Sequence, residues 1–338
     1  MGDMVLLTPL IRSLSSRYGA AVDIVSSGAW TVPLLQGQPG VGEIHLLRNR
    51  KLPYFLNRNG QALVATLRAR GPTPTWYCDT DNRCLPLLRR AGIGDEHLVN
   101  IRDLPIRDGE HLVDHWRRFA RLTPRQGSEG VPQDALDLNP ILEVPAAERA
   151  GLDGWLDVRG LADRPLLLLQ PGNKRTMRPG LRRRPSNTKW WPESRWAALV
   201  QELAQLHPEA AILLMGVPRE QALNDEIIAL AGRRNVHNVA CDLPIPRMLA
   251  LMERAVAMVS VDTGPAHAAA AVGCPVVVLF GAADPVRICP RGRAPVLHLA
   301  GRRGDAPSIL GITVEQVLAA WERLPKRWTA GVALAARA

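Results

Sequence analysis

The chain has 338 residues, 46% of them hydrophobic and 22% charged, which is the composition of a globular protein rather than a disordered one. That length suits two domains of about 150 residues each. The formal net charge of +10 attracts polyanions (nucleic acid, anionic lipid, phosphorylated sugar) without choosing among them, and an Arg-rich, GC-biased genome would give the same excess.

Aromatic residues are only 4% of the chain, so platforms for base stacking are few, and no nucleic-acid-binding motif stands behind the charge. The five cysteines are odd in number and form no C-x-x-C pair, which argues against a disulfide framework and against structural zinc. A reducing cytoplasm fits them best. No segment reaches the roughly 18 apolar residues of a membrane span, and no signal peptide is read at the N-terminus.

In chain order, residues 22–28 read as a strand and 43–47 and 75–81 as weaker strands. Residues 61–70 read as a helix, as do 109–122, where Leu112, Trp116 and Phe119 fall near helical spacing. The pattern weakens between 122 and 164, where Pro, Gly and acidic residues gather and a linker is placed, with a short helix at 149–158. Strands are then predicted at 166–169, 210–216, 257–261 and 275–280, and helices at 194–206, 219–231, 246–255, 265–272 and 314–324. The apolar stretch 328–338 is too short to span a membrane.

Short apolar strands separated by helices imply parallel sheets buried on both faces. The fold class expected is therefore α/β. Two doubly wound, Rossmann-like domains would face across a cleft, with ligands beyond the carboxyl ends of the strands. The division expected is 1–150, 151–326 and a tail at 327–338.

The most specific stretch is VSVDTGPAHAAAAVGCPVVVLFGAADP at 259–285. A strand ends at Val261, Asp262, Thr263 and Gly264 turn, and Pro265 opens a helix, a position where its missing N–H costs nothing. The free N–H groups of that helix make a ready site for a diphosphate. Asp262 or Thr263 would equally serve as a plain N-cap, worth about 1 kcal/mol, and a lone His267 would more often be structural than catalytic.

The turn D-T-G-P-x-H, followed by A-A-A-x-G-x-P-V-V-x-L-F-G-x-x-D-P, resembles glycosyltransferase family 9, whose best-known members are heptosyltransferases of the lipopolysaccharide inner core. The resemblance implies the two-domain GT-B fold. It also implies that Asp262, Thr263, Gly264, Pro265 and His267 grip the diphosphate of a nucleotide-sugar donor. A second stretch, NTKWWPESRW at 187–196, resembles the family's K-x-W-P-x-x-x-W and places its lysine on Lys189. A lysine there neutralises phosphate charge as the sugar leaves. Read alone, Lys189 is a surface charge and Trp190, Trp191 and Trp196 are packing residues. Glu220 matches, at looser spacing, an acidic residue that contacts the donor ribose in the family. A helix-start acid that favours the dipole is the competing reading.

At the N-terminus, GDMVLLTPLIRSL at 2–14 is similar to the family's G-D-x-x-x-x-x-P-x-x-x-x-L, which implies that Asp3 is the general base on the acceptor hydroxyl. A helix-start aspartate is the plainer reading. Family members carry an apolar strand before this G-D. Here Met1 directly precedes it, so the expectation is a native chain that is longer upstream and a first domain lacking its first strand. The basic loop KRTMRPGLRRR at 174–184 would suit an anionic acceptor, or it is a solvated insertion. The triplet Asp79-Thr80-Asp81 resembles the metal-holding D-x-D of another glycosyltransferase class, but it is read as structural.

The resemblance thus implies inverting, metal-independent transfer of a heptose from ADP-heptose, or a similar nucleotide sugar, to a lipopolysaccharide-type acceptor. No cofactor, no metal and no nucleic-acid partner are expected. The setting would be cytoplasmic, with possible peripheral association at the inner face of the cytoplasmic membrane. Alternatives are another nucleotide-sugar donor on the same fold and a non-catalytic nucleotide- or glycan-binding relative. A Rossmann oxidoreductase lacks its G-x-G-x-x-G fingerprint here.

Overall fold

A computed structural model of the chain describes residues 1–129, 131, 136, 138–178, 180 and 186–328. Most of the basic stretch 179–185 and the tail from 329 onward lie outside the described residues. The chain forms two compact units. One is Leu7–Asn139, here the N-terminal unit. The other, the C-terminal unit, joins Met1–Leu6 to everything from Pro140 onward. The first short helix, α1 (Gly2–Leu6), therefore packs with residues more than 130 positions away rather than with those that follow it.

The N-terminal unit runs α2 (Thr8–Tyr18), β1 (Val22–Ser26), α3 (Thr31–Leu35), β2 (Val41–Leu46), α4 (Arg58–Arg70), β3 (Thr75–Tyr77), α5 (Leu85–Arg90), β4 (Leu98–Asn100) and α6 (Leu112–Arg121). β1 pairs with β2 and β3 with β4, both in parallel, as two separate pairs among the described residues. Leu10 and Leu14 of α2 pack with Val99, Ile101, Phe119 and Ala120 into one apolar cluster. Arg17 of α2 is buried and donates to the carbonyls of Ala120 and Leu122 and to the Thr123 hydroxyl. It thereby satisfies carbonyls that the end of α6 would otherwise leave open.

Local side chains set boundaries that hydrophobic period alone does not. α6 begins at Leu112, three residues later than expected, because the His111 ring caps it by accepting from Val113 N at 3.1 Å. α4 begins at Arg58 because Asn57 accepts from Gly60 N at 2.9 Å. β3 stops at Tyr77. Beyond it Asp79 accepts from Asp81 N and Asp81 from Arg83 N, so the chain turns instead of extending. Arg50 pairs with both carboxylates, at 2.8 Å to Asp79 and 3.5 Å to Asp81, and Arg83 pairs with Asp81 at 3.0 Å. The D-x-D triplet is a loop anchor in this structure.

The C-terminal unit continues with α7 (Ala146–Asp157), β5 (Leu166–Gln170), α8 (Glu193–Leu206), β6 (Ala211–Leu214), α9 (Gln221–Ala231), β7 (Val236–Asn238), α10 (Ile245–Arg254), β8 (Ala257–Val261), α11 (Gly264–Val272), β9 (Val276–Phe280), α12 (Pro285–Ile288), β10 (Val296–Ala300) and α13 (Val314–Arg323). Six of its strands form one parallel sheet in the order β10-β9-β8-β5-β6-β7, and Arg302–Arg303 pairs antiparallel with Ala306–Pro307 as a separate two-stranded ribbon. β5, β6, β8 and β9 are buried along their whole length, as strands covered by helices on both faces must be. Counted from β5, this is the 3-2-1-4-5-6 order of the dinucleotide-binding sheet, and the winding reverses between β5 and β8. Ligands of such sheets sit outside the carboxyl ends of the strands at that reversal.

Candidate functional site

The carboxyl end of β5 leads into Gln170, Pro171, Gly172 and Asn173, and that of β8 into Asp262, Thr263 and Gly264. The D-T-G-P-x-H turn therefore lies at the reversal point of the sheet. Thr263 is the N-terminal flanking residue of α11, yet it does not cap the helix; its hydroxyl donates back to the Val261 carbonyl at 3.2 Å. Pro265 occupies the first turn, as expected. α11 is rich in Ala and buried from Ala266 to Val272, so small side chains let it lie close to the sheet.

Lys189 reaches this turn from the loop before α8. Its Nζ lies 2.6 Å from Asp262 Oδ2. The two side chains differ in setting: that of Asp262 is 4% exposed and that of Lys189 is 38% exposed. The ammonium thus keeps a face to solvent while neutralising a buried carboxylate.

Three contacts hold the lysine loop. Asn173, after β5, donates its amide to the Lys189 carbonyl at 3.3 Å. Trp191 and Trp196 are buried edge-to-face with ring centroids 5.0 Å apart, and Trp191 Nε1 donates to the Ile312 carbonyl at 2.9 Å. The third contact explains the glycine of L-F-G. A Cβ at Gly281, just beyond β9, would sit 1.9 Å from the Thr188 carbonyl oxygen, so only glycine lets this loop cross the end of the strand. Trp191 and Trp196 are core residues, and their packing is what aims Lys189.

Glu220 lies beyond β6, at the same end of the sheet. It is 2% exposed; one oxygen accepts from the Thr176 hydroxyl at 2.5 Å and the other from Val217 N at 3.2 Å. Burial pushes its carboxyl above the ordinary range, against the pull of these hydrogen bonds. Thr176 also accepts from Asn173 N at 2.7 Å. A hydrogen-bonded path thus runs from Glu220 through Thr176 and Asn173 to the carbonyl of Lys189. Sequence reasoning missed Asn173 and Thr176. The signal was the polar stretch directly after an all-apolar strand at the sheet's reversal point, legible only once the strand order is known.

Asp3 is exposed in the first turn of α1, which packs on α11 within the same unit. The approach is backbone to backbone. A Cβ at Gly2 would lie 2.8 Å from Cδ2 of the buried His267 ring, and one at Gly264 would lie 2.7 Å from the Met1 Cβ. The G-D and T-G-P-x-H motifs, about 260 residues apart in sequence, therefore meet through their glycines. Burial holds the Met1 amino group below its ordinary range, with the charge of Asp3 pulling it up and that of Lys174, the first residue of the basic loop, pushing it down. Of that loop, Pro179 and residues 181–184 lie outside the described residues. Among the described residues no cluster of three or more His, Cys, Asp or Glu side chains is arranged to hold a metal ion, and no helix is long and apolar enough to cross a membrane.

Comparison with known proteins identifies the family and the fold. Residues 89–308 match the model of glycosyltransferase family 9 (heptosyltransferase). The chain is 26% identical to lipopolysaccharide heptosyltransferase 3 of Escherichia coli K12, across 96% of this chain and 95% of that protein. Its fold is similar to the solved ADP-heptose lipopolysaccharide heptosyltransferase II of E. coli, with a TM-score of 0.72 at 23% identity over 95% of this chain and 94% of the other. It is likewise similar to the E. coli heptosyltransferase WaaC solved with ADP, with a TM-score of 0.69 at 17% identity over 95% and 96%.

Proposed function

The chain belongs to glycosyltransferase family 9 and has the α/β fold of its GT-B heptosyltransferases, and from that premise we propose that it transfers a heptose from ADP-heptose to a sugar hydroxyl of a lipopolysaccharide core acceptor. The observation that carries the reading is the Lys189–Asp262 pair at the mouth of α11, on the reversal point of the six-stranded sheet. A diphosphate seated there meets the Lys189 ammonium and the N–H groups of a helix that Thr263 leaves uncapped. The similar E. coli enzyme was solved with ADP, which supports an adenine nucleotide as donor carrier.

In the proposed reaction the Asp3 carboxylate takes the proton of the acceptor hydroxyl. The freed oxygen attacks the anomeric carbon from the face opposite the nucleotide. The bond from that carbon to the diphosphate oxygen breaks, and ADP leaves with the electron pair. Attack from the opposite face inverts the anomeric centre. The charge that grows on the leaving diphosphate is met by Lys189 and the α11 N-terminus, the positive charge that a metal ion would otherwise supply. Gly264, Pro265 and His267 shape the phosphate seat, and Glu220 stands beside the ribose end of the donor. An acceptor anchored in lipid would bring the protein to the inner face of the cytoplasmic membrane.

The test is ligand-dependent melting with ADP, ADP-heptose, UDP, GDP and NAD, each with and without Mg²⁺, followed by mass-spectrometric detection of transfer to a heptose-deficient core acceptor. Stabilisation by ADP and ADP-heptose that needs no Mg²⁺, together with product formation, is the expected result. Stabilisation by UDP or GDP alone would replace the donor, and by NAD alone would overturn the reading.

A further inference from the structure

The N-terminal unit carries an apolar, basic loop that includes none of the residues proposed to bind the donor. Between β2 and α4 the side chains of Leu52, Phe55 and Leu56 are 46%, 75% and 60% exposed within five consecutive residues. Exposed single hydrophobic residues are ordinary; three in one turn form a patch that calls for a cause. The same segment holds Arg48, Arg50, Lys51 and Arg58 and no acidic residue, with Arg48, Lys51 and Arg58 exposed.

The loop is held in this presentation by its backbone. Asn57 donates to the carbonyls of Arg48 and Asn49, both at 3.2 Å. Asn59 accepts from Arg48 N at 2.6 Å, and Gln61 donates to the carbonyls of Tyr54 and Phe55 at 3.0 and 3.1 Å. Asn49 adopts a left-handed φ of 53°, a conformation that asparagine tolerates better than most residues. Arg50 ties the segment to Asp79 and Asp81, and Arg90 lies 4.6 Å from the centroid of the Tyr54 ring. Polar contacts on every side thus serve to hold a turn whose tip is apolar.

We propose that this loop is a bilayer-docking surface, with Leu52, Phe55 and Leu56 entering the interface of an anionic membrane and Arg48, Lys51 and Arg58 meeting its headgroups. Apolar side chains ringed by basic ones match the two layers of such an interface, acyl boundary below and negative charge above. A protein partner would have to match both the apolar tip and the cationic rim, and a second copy of this chain would set the +10 charge against itself. The surface adds a place of contact to the proposed membrane setting of the acceptor and involves none of the residues proposed to bind the donor.

Co-sedimentation of the full chain with sucrose-loaded vesicles tests it, with neither sugar donor nor glycolipid acceptor present. Failure here leaves the transfer reaction untouched, and failure of ADP binding leaves this surface untouched. The wild-type chain should bind vesicles of phosphatidylethanolamine with phosphatidylglycerol, bind phosphatidylcholine vesicles far less, and weaken with salt. The variant L52S/F55S/L56S should lose about tenfold or more in partitioning, and Lys51→Glu about fivefold or more. All four positions are exposed, so an unchanged melting temperature is expected to accompany the loss. Equal binding to neutral and anionic vesicles by the wild type, or unchanged binding by the triple variant, would overturn the proposal. So would light scattering that shows a dimer which the triple variant converts to monomer, since the occupant would then be a second copy.

Discussion

Lys189 Nζ and Asp262 Oδ2 lie 2.6 Å apart, although 73 positions of sequence separate them, and the partners are unequally buried. Removing the half-exposed lysine strands a carboxylate inside the protein, whereas removing the carboxylate frees a lysine that water can reach. Lys189→Met should therefore destabilise by about 1–3 kcal/mol, and Asp262→Asn by less. The double variant should be more stable than Lys189→Met alone. Both variants that lack the lysine should bind ADP at least about tenfold more weakly, since loss of a charged phosphate contact is worth about 1.5–3 kcal/mol. Thermal melts and calorimetric titration of the four proteins read the two effects separately. Equal destabilisation by the two single changes would show that the pair is solvated rather than buried.

The central strands of the C-terminal unit were legible because they are almost unbroken apolar runs, buried from end to end. β8 begins and ends where expected, and β5 and β9 differ from expectation by one residue. The half-buried strands of the N-terminal unit carry a weaker signal. β4, as well as α3 and α5, fell below it, and so did β7 and β10 at the sides of the large sheet, where burial is partial. The turn at 262–265 was visible in sequence because a strand end followed by Pro at a helix start restricts residue types, whereas Asp3, Lys189 and Glu220 were singled out only by the resemblance to the family. The hydrogen bonds of Asn173 and Thr176 could not be found in sequence, because polar side chains that serve another side chain leave no periodic trace.

Glu220 sets stability against position. Burial is the largest influence on its carboxyl and raises it above the unfolded value of 4.5. In the window between 4.5 and that raised value the folded state holds a proton that the unfolded state has lost, so stability falls as pH rises through the window. Glu220→Gln keeps the shape without the charge. It should melt higher than wild type above the window and at the same temperature below it, while binding of ADP weakens. Thr176→Val removes a hydrogen bond to the buried carboxylate and should cost about 1–3 kcal/mol. A Gln variant less stable than wild type at alkaline pH would mean that the charged form is the favoured one in the fold.

Glu110 behaves in the opposite sense in the N-terminal unit. The Arg118 guanidinium binds it through two hydrogen bonds, at 2.6 and 2.8 Å, and holds its carboxyl down at about 2. A depressed folded value contributes stability that is fully present above the unfolded value of 4.5 and is lost as pH falls through about 2. With solvent screening, Glu110→Gln should cost about 1–2 kcal/mol at neutral pH. The gap from wild type should narrow steadily on acidification below 4.5. Urea melts of the full chain across that range, followed by tryptophan fluorescence, measure it. A gap that does not change with pH would assign the loss to packing instead of charge.

Asp3 and the glycine beside it separate chemistry from placement. Asp3 is exposed, so Asp3→Asn removes the proposed base without disturbing a packed core. Turnover should fall by about 100-fold or more, the usual worth of a positioned base, with ADP affinity within about twofold of wild type. Gly2→Ala acts differently. Its Cβ would press to 2.8 Å from the His267 ring, so α1 must shift away from α11 or the ring must give way, at a cost of about 1–3 kcal/mol. This variant should lose ADP affinity together with turnover while keeping its carboxylate, since α1 packs on α11. If Asp3→Asn lost ADP affinity in the same proportion as turnover, the carboxylate would not be the base, and α1 would serve only to shape the phosphate seat at Gly264 and His267.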